Sequence, residues 1–126
     1  MNRTILVVDD SATVRKFVSL SLNMQGFNVV TACDGMDAME KLPSARIDLV
    51  ITDLNMPNMD GYEFIRTLRE SDQYHDLPVI ILSSLADKSS RDLGLEAGAF
   101  SYLVKPFSIE KVQYEVSKYL SWADQE

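Results

Sequence analysis

The chain has 126 residues, 46% of them hydrophobic and 25% charged, with a formal net charge of -7, which is the size and balance of one globular domain. The acidic excess excludes a sequence-independent grip on nucleic acid, which needs clustered Lys and Arg to displace counterions. The single cysteine, Cys33, has no disulfide partner and stands in no Cys/His cluster, which sets aside redox and zinc chemistry. The start Met1-Asn2-Arg3-Thr4 lacks a signal-peptide apolar core and no apolar run exceeds strand length, so a cytoplasmic chain that engages no membrane is expected.

Residues 5–8, Ile-Leu-Val-Val, are followed by Asp9-Asp10-Ser11 and then by Val14, Phe17, Val18 and Leu22 at helical spacing, which predicts strand, turn, helix, with Ser11 as N-cap and Gly26 as stop. Phe27, Val29 and Val30 predict a second strand, and polar Asn28 within it marks a less buried edge. Asp34-Gly35 opens a second helix with Ala38, Met39 and Leu42 on one face, ended by Pro43. Ile47, Leu49, Val50 and Ile51 read as a buried third strand that runs out at Asp53, and Pro57 and Gly61 keep the stretch after it from being helix. A third helix carries Phe64, Ile65 and Leu68. The polar loop from Ser71 to Leu77, with the only histidine, His75, then leads through Pro78 into a fourth strand, Val79 to Leu82, that ends in Ser83-Ser84. The fourth helix, about Ser89 to Ala97, has Gly94 inside it and no clean stripe from Leu93, Leu95 and Ala97, and is expected to be the least stable. Tyr102-Leu103-Val104 forms a fifth strand ending at Lys105-Pro106. Ser108 caps a last helix with Ile109, Val112, Val116, Tyr119 and Leu120 along one side, and the polar tail from Trp122 is expected to fray.

Strands alternate with helices, and runs as uniformly apolar as 5–8 and 79–82 suit strands covered on both faces, so the fold class is α/β, a doubly wound parallel sheet. Right-handed crossovers place every strand's C-terminal end on one rim, where such sheets bind ligands. On that rim stand Asp9 and Asp10 after strand one, Asp53 after strand three, Ser83 and Ser84 after strand four and Lys105 after strand five. Carboxylates this close repel one another unless they share a divalent cation, and an oxygen-only ligand set with room for water favours Mg2+ over zinc or copper. A cation, a lysine and a hydroxyl donor make a pocket for a dianionic tetrahedral group, with Asp53 as carboxylate nucleophile beneath it; the chemistry that fits is phosphoryl transfer to Asp53. Acids and serines are also common in such loops as solvent-facing residues and caps. The convergence at separate strand ends, with Lys105 in a strand-terminal Lys-Pro, favours the functional reading.

The same residues resemble the receiver domains of two-component response regulators, above all the single-domain chemotaxis (CheY-like) type, over essentially the whole chain. The resemblance runs from Val7-Val8-Asp9-Asp10 through Asp53-Leu54-Asn55-Met56-Pro57-Asn58-Met59-Asp60-Gly61 and Ser83 to Tyr102-Leu103-Val104-Lys105-Pro106-Phe107. It implies a five-stranded flavodoxin-like sheet of order 2-1-3-4-5 with five helices, residues 1–126 as a single receiver domain, and Asp53 as phosphoacceptor. It further implies Mg2+ held by Asp10, Asp53 and the backbone carbonyl of Asn55, with Asp9 reaching it through water. Ser83 and Lys105 then bind phosphoryl oxygens, and the Lys105-Pro106 peptide is cis. Tyr102 becomes the switch aromatic, turning inward when the Ser83 hydroxyl moves toward the phosphoryl group and so remodelling the face of helix four, strand five and helix five. On that face Arg91, Leu95 and Tyr102 are the expected partner contacts, while Tyr114 reads equally as plain surface. Where the family mostly has threonine the chain has Ser83, and where it prefers Ala or Gly it has the bulkier Ser84, which bears on phosphorylation by small donors. Asn55 and Leu85 occupy the positions that tune access of water to the aspartyl phosphate.

Such a chain is a phosphoacceptor that promotes its own phosphorylation and dephosphorylation rather than an enzyme with a separate substrate. His75 lies away from the rim, so the phosphohistidine donor belongs to a histidine kinase or phosphotransfer domain. The last helix ends close to the C-terminus, so the output is expected through a separate protein, such as a flagellar motor switch, with a monomer as the resting form. A haloacid-dehalogenase-type hydrolase is an alternative, but Asn55 stands where that family carries its second Asp. A flavodoxin-like cofactor binder is another, but the acidic loop Asp9 to Thr13 would repel an FMN phosphate. A receiver serving a phosphorelay or a non-motility process would present the same rim and stays open.

Overall fold

All five predicted strands are present in the computed structural model, which describes residues 2–84 and 88–120, with Phe27 and Ile47 falling just ahead of theirs. The expectations for Leu85 and for the tail from Trp122 lie outside those residues. The strands are β1 (Thr4–Val8), β2 (Asn28–Ala32), β3 (Leu49–Asp53), β4 (Val79–Ser84) and β5 (Ser101–Lys105), and the helices are α1 (Ala12–Asn23), α2 (Gly35–Lys41), α3 (Gly61–Glu70), α4 (Lys88–Ala97) and α5 (Ile109–Ser117). All pairings are parallel and the sheet order is β2-β1-β3-β4-β5. Asn28 is exposed on the outermost strand, as its polarity implied.

Strand period puts alternate residues on opposite faces. Leu6, Val8, Val50 and Ile81 join Ala38, Phe64, Ile65 and Leu68 on the side covered by α2, α3 and α4. Ile5, Val7, Leu49, Ile51, Ile80 and Leu82 join Val18, Leu22, Val112 and Val116 on the side covered by α1 and α5. Every one of these side chains is fully buried, and each contributes about 1.5–3 kcal/mol of transfer free energy if a full aliphatic or aromatic group is counted. The predicted caps Ser11 and Ser108 stand at the starts of α1 and α5, where Ser11 Oγ accepts from Val14 N–H and Ser108 Oγ from Lys111 N–H. Asp34 Oδ1 caps α2 through Asp37 N–H and Asp60 Oδ1 caps α3 through Glu63 N–H, while α4 starts at Lys88, one residue before Ser89.

Boundaries differ where pairing or capping overrules apolar content. β4 continues through both serines because Ser83 and Ser84 lie opposite Val104 and Lys105 of β5. β3 starts at Leu49, leaving Ile47 buried ahead of it, and extends to Asp53, opposite Leu82. Pro43 falls in a short 3-10 turn, Leu42–Ser44, rather than directly ending α2. α5 stops at Ser117, yet Leu120 beyond it is still buried.

At the rim opposite the strands' C-terminal ends, Arg69 of α3 acts as a clamp. Its Nε and Nη2 donate to Gly98 O at 2.9 and 2.7 Å, and its Nη1 donates to Tyr74 O and His75 O at 3.3 and 3.2 Å. Its guanidinium also lies 5.4 Å from the centre of the Phe100 ring. No helix among the described residues is long and apolar enough to cross a membrane.

Candidate functional site

β1 delivers Asp9 and Asp10 and the neighbouring β3 delivers Asp53, so that the three carboxylates each offer an oxygen within 4.8 Å of the others. Asp9 is fully buried. Its Oδ1 accepts from Ser11 N–H at 2.8 Å and its carbonyl from Arg15 Nη1 at 2.6 Å. Asp53 Oδ1 accepts from Leu54 N–H at 2.7 Å and, more weakly, from Asn55 N–H at 3.4 Å. Lys105, carried in by β5, places Nζ 3.8 Å from Asp9 Oδ2 and 3.9 Å from Asp53 Oδ2. Those separations exceed a hydrogen bond, so one ammonium faces two carboxylates electrostatically without being committed to either.

Burial pushes the Asp9 carboxyl above the usual carboxylate range, and the Asp53 and Asp10 charges add to it, against the Ser11 N–H and Lys105. Burial raises Asp53 as well, opposed first by Lys105 and then by the Leu54 N–H. Asp9 Oδ2 and Ser83 Oγ are both buried with no hydrogen-bond partner among the described residues. Buried polar atoms are rarely left so, and here they flank an excess of negative charge. An oxygen-only donor set of this kind fits a hard divalent cation such as Mg2+. Cys33 is exposed, and His75 lies in the α3–β4 loop at the opposite rim, so neither softens the set.

Asn55 is exposed two residues past Asp53, in a loop anchored on two sides. Gly61 N–H donates to Leu54 O at 3.0 Å, and Gly35 N–H, at the start of α2, donates to Met59 O at 3.0 Å. Asn58, the one non-glycine residue with positive φ among those described (64°), donates from Nδ2 to Asp34 Oδ2 at 2.7 Å. This link between the β2–α2 and β3–α3 loops escaped sequence reasoning, as did Arg15; only the tolerance of Asn for a left-handed backbone hinted at the former.

Tyr102 is 41% exposed, so its ring faces outward in this conformation. Arg91 lies 5.1 Å over that ring and donates from Nη1 to Ser84 O at 2.8 Å, tying the aromatic to the residue beside Ser83. Leu95 does not join them, because it packs half-buried against the core on the α2–α3–α4 side. Beside Tyr102, a groove of about 450 Å³ runs between β5 and α5, lined by Val104, Glu110, Lys111 and Tyr114 among others. Tyr114 is 68% exposed there. The Lys105-Pro106 peptide is cis.

A parallel sheet of this order with acids just past β1 and at the end of β3, a hydroxyl at the end of β4 and a lysine at the end of β5 defines a receiver of the two-component type. The chain belongs to the response regulator receiver domain family, which matches residues 5–117. Among solved structures it is similar to the chemotaxis protein CheY4 of Vibrio cholerae, with 37% identity and a TM-score of 0.88 over 95% of this chain and 100% of that one. It is also similar to the receiver domain of the sensor histidine kinase PA1611 of Pseudomonas aeruginosa, solved with a magnesium ion coordinated in its active-site cleft (28% identity, TM-score 0.86, 94% of this chain and 98% of that one). Among curated proteins it is 38% identical to the probable transcriptional regulator ycf27 of Porphyridium aerugineum over 120 residues, which is 95% of this chain and 49% of that protein. The chain spans about half the length of the curated relatives it matches.

Proposed function

We propose that residues 1–126 act as one receiver domain, a switch thrown by transfer of a phosphoryl group to Asp53. The observation that supports this is the set of three carboxylates within 4.8 Å faced by the Lys105 ammonium. In the proposed reaction the Asp53 carboxylate attacks the phosphorus of a phosphohistidine on a histidine kinase or phosphotransfer domain. A P–O bond forms to Asp53, and the P–N bond breaks as the imidazole leaves. With Oδ1 held by Leu54 N–H, Oδ2, beside Lys105, is the oxygen free to attack. Lys105 and the buried Ser83 hydroxyl, which has no hydrogen-bond partner among the described residues, bind the phosphoryl oxygens and offset their growing charge. Asp9, Asp10, Asp53 and the Asn55 carbonyl would hold Mg2+, which supplies charge neutralisation and a template for in-line transfer.

The output face is proposed to be α4–β5–α5, with Arg91, Tyr102 and the half-buried Leu95 as its contacts. Drawing the Ser83 hydroxyl to the phosphoryl group frees space for Tyr102 to turn in, which breaks its stacking with Arg91. The likeness to the chemotaxis protein CheY4 supports a role in motility, which we propose the chain exerts as a cytoplasmic monomer through a partner such as a flagellar motor switch. The likeness to ycf27 supports a second reading, in which the receiver serves transcription.

Incubation with acetyl phosphate and Mg2+, read by intact mass, should add one phosphoryl group to the wild type and none to Asp53→Asn or to a Mg2+-free sample. An adduct on Asp53→Asn, or none on a folded, Mg2+-loaded wild type with either acetyl phosphate or a kinase, would overturn the assignment.

A further inference from the structure

Asp34 is 7% exposed, and its carboxylate makes two bonds of different kinds. Oδ1 caps α2 through Asp37 N–H at 2.9 Å, a task that serine or asparagine performs equally well. Oδ2 is therefore free for something else, and it accepts the Asn58 amide at 2.7 Å. Those two donors also hold the Asp34 carboxyl below its usual range, so it is ionised. The next residue repeats the attachment, with Gly35 N–H bonded to Met59 O. The fit is close: a Cβ on Gly35 would stand 2.5 Å from Met59 O and 2.7 Å from Met59 Cγ. The start of α2 thus grips two consecutive residues of the β3–α3 loop, while Gly61 N–H grips Leu54 O at its other end. Between the grips lie Asn55 and Pro57, both exposed, and Met56, turned into the core.

We propose that Asp34 is a positioning residue, whose bond to Asn58 fixes the loop so that the Asn55 carbonyl stands ready for the divalent cation. This rests on the reading of the acidic cluster as a Mg2+ site. Partners that orient a metal ligand commonly contribute about tenfold or more in affinity. The Asp34–Asn58 bond acts in that way, one loop removed from the cluster.

Calorimetric titration of MgCl2 into four proteins tests it: wild type, Asp34→Ser, Asn58→Gly and the double variant, with circular dichroism melts alongside. Serine keeps the α2 cap but cannot reach Asn58, and glycine keeps the positive φ but has no amide. We expect each single variant to bind Mg2+ about tenfold more weakly and the double variant no more weakly than either, because one bond is lost in every case. Phosphorylation by acetyl phosphate should need correspondingly more Mg2+ and reach the wild-type rate at saturation. Wild-type affinity in Asp34→Ser, or losses that multiply in the double variant, would overturn the proposal. A wild type that binds no Mg2+ would overturn the underlying Mg2+ reading and this inference with it.

Discussion

At Asp9 a fully buried carboxylate shares a rim with two others and one uncommitted ammonium. Its folded-state pKa and that of Asp53 are raised, so the folded state is the better proton binder between the ordinary carboxylate value, near 4, and the raised one. These two groups therefore make the metal-free protein less stable as pH climbs through that window, with the full cost present above it. Asp9→Asn, which can keep the Ser11 N–H bond, should raise the metal-free melting midpoint by roughly 4 °C, or about 1 kcal/mol. It should also blunt the further rise that Mg2+ gives the wild type; melts at pH 7 with and without Mg2+ check both. The rim residues were legible because each follows a run that could only be a buried strand, so the parallel topology brings Asp9, Asp10, Asp53, Ser83 and Lys105 together. Asp34 and Asn58 were not legible, because a single bond between two loops leaves no periodic trace. Leu95, expected among the partner contacts, is half-buried and packs against the core on the α2–α3–α4 side.

The fourth helix shows what propensity misses. Gly94 looked like a flaw in a poorly patterned segment, yet it is buried and a Cβ there would run into Ile81 Cδ1 and stand 3.5 Å from Leu54 Cδ2. Helix preference alone favours alanine by up to about 1 kcal/mol. Ile81 is fully buried on β4, so forcing in a methyl group costs about 1–3 kcal/mol. Gly94→Ala should therefore lower stability in a urea melt, against the propensity rule. Hydrogen exchange in α4 is still expected to be faster than in β1, β3 and β4, since Lys88, Ser89, Asp92, Leu93 and Glu96 are all exposed. The helix caps at Ser11 and Ser108 were readable beforehand because a cap is a local feature, as was the opening of α2 at Asp34-Gly35. The closeness of α4 to the sheet is tertiary and has no local signature.

Across the whole molecule the two rims divide the work. One gathers the charged groups, and the other is held by Arg69, whose guanidinium captures three backbone carbonyls and lies over Phe100. Hydrogen bonds from a charged donor are worth about 1.5–3 kcal/mol, so Arg69→Ala should cost about 2–3 kcal/mol of stability. Because the clamp is remote from the acids, Mg2+ affinity should stay unchanged; denaturant titration and calorimetry separate the two effects. The alternation of strands and helices was legible from hydrophobic period alone. The order β2-β1-β3-β4-β5 was not, because period says nothing about which strands are neighbours, and it came only with the family resemblance.

The chain also carries its own attachment point for a reporter. Cys33 is the only cysteine, is exposed, and directly precedes Asp34. A maleimide dye there would ride on the segment that grips the β3–α3 loop, with no second thiol to compete for it. Desolvation first, and then the Asp34 charge and Asp37, raise the thiol's pKa, so coupling goes best at mildly alkaline pH, after which phosphoryl arrival could be followed as a change in fluorescence.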